Sequence, residues 1–129
     1  MGELRERMRL LREADVVDDS GLRDLEEIVR LLKEEAGVDE NSPQLAALVA
    51  HVAMALHRRS LGEQVKPVSS EAMEDVRESS VYPEALRLQR LIDSRMSNAL
   101  SEDEQGYVLV HVGGLLLSVE DHARGEGAS

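Results

Sequence analysis

Four histidines, His51, His57, His111 and His122, are the side chains of this sequence best suited to distinctive chemistry. The chain has no cysteine, tryptophan or phenylalanine and two tyrosines, and no glycine-rich phosphate loop occurs in it. A thiolate nucleophile, a disulfide framework and a Cys-ligated metal are therefore excluded. Successive residues of a helix are rotated by about 100°. By that rule His51 shares a face with Ala47, Leu48, Met54, Ala55 and, two turns on, Arg58, while His111 shares one with Glu104, Tyr107, Val108, Gly114 and Leu115. Both histidines fall mid-helix at partly buried positions, and His57 and His122 are expected at the surface.

A metal site asks for two imidazoles four residues apart on one helix face. His51 and His57 point in different directions, and His111 and His122, although aligned, stand about 16 Å apart by helical rise. A metal would require His51 and His111 to meet across helices with a carboxylate such as Glu104, so no metal and no cofactor is expected. Hydrolytic triads lack a nucleophile, because Ser42, Ser70 and Ser101 sit where helix caps belong. A helix-borne imidazole can instead accept a phosphoryl group. Much of it is neutral at cytosolic pH, it is nucleophilic without a dedicated base, and attachment gives it roughly two negative charges. Each residue also has a structural explanation. A histidine on an apolar face commonly satisfies a carbonyl or carboxylate in the core, and Glu104 completes a capping box with Ser101. Tyr107 adds bulk to a core without Phe or Trp, and Arg58 and Arg59 complement the dipole at the end of their helix.

The elements that must position these residues read as helices throughout, because apolar residues recur at helical spacing and strand-forming enrichment is missing. With 129 residues, 42% of them hydrophobic, the chain suits one domain, residues 1–129, with its core at about 20–119 and a frayed tail at 124–129. A short amphipathic helix over residues 2–14 carries Leu4, Met8 and Leu11, and its four arginines face solvent. A second helix starts after Ser20 as N-cap and stops at Gly37. Ser42 and Pro43 open a third, which ends near Gly62 and is apolar on nearly every side, so it belongs at the centre. A short helix over residues 70–78, one opening at Pro83, and one led by Ser101 and running to about His122 complete an all-α bundle of about five core helices plus the N-terminal one. Gly113 and Gly114 each cost about 1 kcal/mol inside a helix. Close approach of another helix beside His111 would explain them, and a homodimer contact is expected there.

A net charge of −11 argues against a nucleic-acid groove, and the missing aromatics remove the usual base-stacking platform. No apolar run is long enough to span a membrane and no signal peptide is evident, so the expected home is the cytoplasm.

Three segments together resemble a known family. Leu48-Val49-Ala50-His51-Val52-Ala53-Met54-Ala55-Leu56-His57-Arg58, then Tyr82-Pro83-Glu84-Ala85, then Glu104-Gln105-Gly106-Tyr107-Val108-Leu109-Val110-His111-Val112 are similar, in order and spacing, to the PTS regulation domain (PRD). This is the helical module of bacterial antiterminators and activators controlled by the sugar phosphotransferase system. The resemblance implies a compact, usually dimeric bundle. It makes His51 and His111 phospho-acceptors, supported by Arg58, Glu104 and Tyr107, with the histidine phosphocarrier protein or a sugar-specific Enzyme II as donor. Ala50 stands where many antiterminator copies have an acidic residue, and the length resembles that of a stand-alone domain without its own output module. The expected function is a non-enzymatic, phosphorylation-responsive regulator of carbohydrate-use genes acting through dimer or partner packing. The alternative is a dimeric adaptor that keeps the fold without phosphorylation.

Overall fold

The computed structural model describes residues 2–128, with side chains described up to Asp121. Six helices and no strand occur among the described residues: α1 (Glu3–Glu13), α2 (Asp19–Ala36), α3 (Pro43–Ser60), α4 (Ser70–Glu78), α5 (Tyr82–Arg95) and α6 (Glu102–Ala128). The expected all-α bundle is what forms. The expected frayed tail at 124–129 and the surface position of His122 fall outside the described side chains.

Helix α1 docks by Leu4 and Met8, both buried. Its arginines pair with carboxylates: Arg7 with Glu3, Arg9 with Glu6 and Glu13, Arg5 with Glu40 at 2.7 Å and Arg12 with Asp19 at 2.6 Å. The arginines at the start of the chain thus form a solvated face, as expected. Helix α2 begins earlier than its sequence suggests. Asp18 rather than Ser20 is the N-cap, accepting the Gly21 N–H at 2.8 Å, because a carboxylate both meets that donor and complements the positive end of the helix. Gly37 closes α2 at φ +62°, where Val38 N–H returns to the Leu32 carbonyl.

Ser42 caps α3 at the Leu45 N–H, 3.2 Å, with Pro43 at the start of the helix. Leu45, Leu48, Val49, Val52, Ala53 and Ala55 are nearly or fully buried, since α3 lies between α2 and α6. The central position is shared, however: α6 packs on α3, α5 and α4. Buried α6 residues Val108, Val112 and Leu115 meet the α3 core residues in one cluster with Leu88 and Ile92 of α5.

Gly113 lies buried under α4, where a Cβ would come within 2.8 Å of Val76 Cγ2. Close packing does explain this glycine, but the neighbour is a helix of the same chain. Gly114 is exposed, and a Cβ there would meet nothing within 4 Å.

The link between α5 and α6 is fixed from a distance. Asp24 of α2 is 2% exposed and accepts the Ser97 N–H at 2.7 Å, the Asn98 N–H at 3.0 Å and the Asn98 side-chain amide at 2.9 Å. Ser20 Oγ takes the same amide at 3.0 Å, which is its role in place of capping. Beside this turn, Gln105 donates to Asp93 at 3.1 Å and to the Leu100 carbonyl at 3.0 Å. The start of α6, and every side chain carried on its first turns, is thereby held in register with α2 and α5.

Candidate functional site

Helices α3 and α6 bring together the residues that spacing placed on one face of each. His51 and Arg58 are seven apart on α3, and Glu104, Tyr107 and His111 follow one another at three and four residues on α6, so each set forms a stripe. Facing stripes then meet along the seam. The ring of His51 lies 5.0 Å from that of His111, inclined at 36°, and 5.2 Å from that of Tyr107, inclined at 32°. Arg58 reaches across to Glu104 with its Nε at 3.1 Å and its Nη2 at 2.9 and 3.1 Å from the two carboxylate oxygens.

This forked pair is the electrostatic anchor of the site. The Glu104 side chain is 8% exposed and that of Arg58 24%, so the carboxylate depends on the guanidinium far more than the reverse. Ser101 Oγ does accept the Glu104 N–H at 3.2 Å, as a capping residue should. The expected capping box is nevertheless only half formed: the Glu104 carboxylate turns to Arg58 because two charged donors outcompete a single backbone N–H.

The second consequence of that turn falls on His51. Its Nε2 stands 3.6 Å from Glu104 Oε2, beyond hydrogen-bond range, and is shut off from solvent without a partner. Burial pushes the His51 pKa down, and His111 and Arg58 push the same way against the opposing pull of Glu104. Burial alone lowers that of His111. Both imidazoles are thus neutral at physiological pH, and the His51–Glu104 approach is a dipole beside a charge, not an ion pair. Neither ring is fully sealed: both residues are partly exposed, and Nδ1 of His51 and both nitrogens of His111 are neither enclosed nor hydrogen-bonded. Ala47, Ala50, Met54 and Gly114 are exposed on the same two helices, so the rim near the rings carries small or apolar groups.

His57 departs from its expected surface position. It is half-buried, with Nδ1 enclosed and unpartnered, because Ala53 one turn earlier on its face is fully buried and the ring follows that face inward. Sequence reasoning misses Asp24 as a structural residue, since in sequence it is an ordinary first-turn acid; a lone carboxylate on the stripe of Leu25 and Ile28 is the available signal. Among the described residues no group of three or more His, Cys, Asp or Glu is placed to hold a metal ion, and no helix is long and apolar enough to cross a membrane.

Comparison with known proteins bears on the same segment. The chain is 26% identical over 115 residues to the uncharacterized protein YhfY of Escherichia coli (strain K12), covering 89% of this chain and 96% of that one. It is 29% identical over 79 residues to an uncharacterized protein of Haemophilus influenzae, covering 61% and 63% of the two chains. No solved structure gives a significant match. The PRD domain family matches residues 26–115, which takes in α3, α5 and the α6 stripe with all five site residues. The chain therefore belongs to the PRD domain family, a regulatory rather than catalytic class tied to the sugar phosphotransferase system.

Proposed function

We propose that this protein is a phosphorylation-responsive regulatory module that accepts phosphoryl groups on His51 and His111. The observation that carries the reading is the pair of partly buried imidazoles set side by side across the α3–α6 seam, each with a nitrogen that is not enclosed; burial lowers the pKa of both and so favours their neutral form. A neutral imidazole has the lone pair that attack on phosphorus requires. The donor is the histidine phosphocarrier protein or a sugar-specific Enzyme II, which sets the module in the cytoplasm. The donor's bond to phosphorus breaks as the new phosphorus–nitrogen bond forms. The product places a phosphoryl group bearing about 1.5 to 2 negative charges on a chain already at −11. Placed on a seam between two packed helices, that charge alters how the surface meets a second copy of the chain or an output partner, and through it the transcription of carbohydrate-use genes. Arg58 supports the site by holding Glu104, and Tyr107 by stacking on His51.

The test is incubation with phosphoenolpyruvate, Enzyme I, the phosphocarrier and cognate Enzymes II, followed by mapping of acid-labile phosphate. Label on His51 or His111, lost in the corresponding His→Ala variant, is the expected result. With active donors and a folded protein, the absence of label on both residues overturns it and leaves a dimeric adaptor as the function.

A further inference from the structure

The geometry points to Nδ1 of His51 as the nitrogen that receives phosphorus, with Glu104 as the positioning residue that reserves Nε2 for a proton. The inference rests on the proposed function. It adds the atom, the tautomer and the residue that sets them.

A neutral imidazole carries one N–H and one lone pair, and the nitrogen holding the proton cannot attack. Around His51 the two nitrogens have unlike surroundings. Nε2 is enclosed, and a carboxylate oxygen of Glu104 stands 3.6 Å from it. A lone pair at Nε2 would face that anion, whereas an N–H there is attracted to it, so the proton belongs on Nε2. Nδ1 is then left with the lone pair, and it is the nitrogen that is not enclosed. Steric access and tautomer agree.

Glu104 cannot swing away to relieve the arrangement. Arg58 grips it by three hydrogen bonds of 2.9 to 3.1 Å, Ser101 Oγ bonds its backbone N–H, and its side chain is buried. The step itself balances. The Nδ1 lone pair attacks phosphorus of a phosphohistidine donor, the donor's P–N bond breaks, and its electron pair returns to the donor ring. No proton need leave His51: the ring becomes imidazolium-like, and the proton at Nε2 now sits on a cation beside the Glu104 carboxylate. The carboxylate thus favours the state that develops during attack more than the starting one.

The test uses full-length protein with 15N-labelled histidine. Long-range 1H–15N spectra of the unmodified chain read the tautomer, and the same spectra after phosphorylation, with 31P coupling, read which nitrogen bears phosphorus. The expected result is an Nε2–H tautomer and an Nδ1–P bond at His51. In Glu104→Gln, and in Glu104→Ala where it folds, the ratio of Nε2 to Nδ1 product rises about tenfold, the change that ~1.4 kcal/mol of lost preference gives. A merely structural role for Glu104 would lower yield without moving that ratio. Phosphorus on Nε2 of wild-type His51, or an Nδ1–H tautomer, overturns the inference while the proposed function stands. Label confined to His111 also overturns it, and no label on either residue overturns both.

Discussion

Replacing Arg58 by methionine keeps most of the apolar stem and removes the guanidinium that ties α3 to α6. The structure sets the size of the effect. The variant strands the Glu104 carboxylate at 8% exposure after it loses three charged hydrogen bonds. Breaking a fully buried pair costs about 3–5 kcal/mol. Arg58 is 24% exposed, and its loss also relieves the cost of its own partial burial, so a loss of about 2–3 kcal/mol at pH 8 is expected. The cost must also depend on pH, in a definite direction. Arg58 lowers the proton affinity of His51 and Glu104 raises it. Deleting the first unmasks the second, so folded Arg58→Met protein takes up a proton on His51 at higher pH than folded wild type. Where the variant binds the proton and the wild type does not, the deficit shrinks as pH falls, by at most ~1.4 kcal/mol per pH unit. Urea unfolding at about pH 8 and pH 6, with the His51 ring titrated by NMR in both proteins, measures each part. A deficit under about 1 kcal/mol, or one equal at both pH values with an unmoved His51 titration, would refute the reasoning, because the pair would then behave as a surface ion pair.

Further outcomes follow from the same structure. Wild-type stability should fall as the medium is acidified below about pH 6.5, because the unfolded histidines then bind protons that folded His51 and His111 resist. The slope is at most ~1.4 kcal/mol per pH unit for each, and His51→Gln/His111→Gln should flatten it in urea titrations. Asp24→Asn should cost about 3 kcal/mol in the same assay, since one carboxylate oxygen facing an N–H becomes a donor facing a donor. The two adjacent glycines should respond oppositely. Gly113→Ala meets Val76 at 2.8 Å and loses about 1–2 kcal/mol, while Gly114→Ala meets nothing and gains up to about 1 kcal/mol, as thermal melts will show.

Much of this architecture is legible from local signals. Ser42-Pro43, Gly37 and the period of apolar residues locate α2 and α3 because caps and amphipathic faces act within a turn or two of chain. The stripe through Glu104, Tyr107 and His111 is visible for the same reason, as is that of His51 and Arg58. Interactions between distant segments are not. Ser20 and Asp18 are both good caps, and the partner that Ser20 meets instead is Asn98, 78 residues away. Glu104 carries a local motif and a remote guanidinium at once, and the sequence ranks neither. Gly113 announces close packing without naming the partner, which is Val76. His57 reads as exposed because Arg58 and Arg59 follow it, whereas its neighbour along the helix face is Ala53.

The carboxylate of Asp24 has a bearing on the order of assembly. Ser97 and Asn98 offer amide donors whose acceptor lies 73 and 74 residues upstream. An α5–α6 hairpin formed on its own would leave those amides to water. It is therefore an incomplete folding unit, finished only when α2 arrives, and the ring pair on the seam inherits that dependence: Glu104 and His111 reach their final register when the first third of the chain has closed over the last.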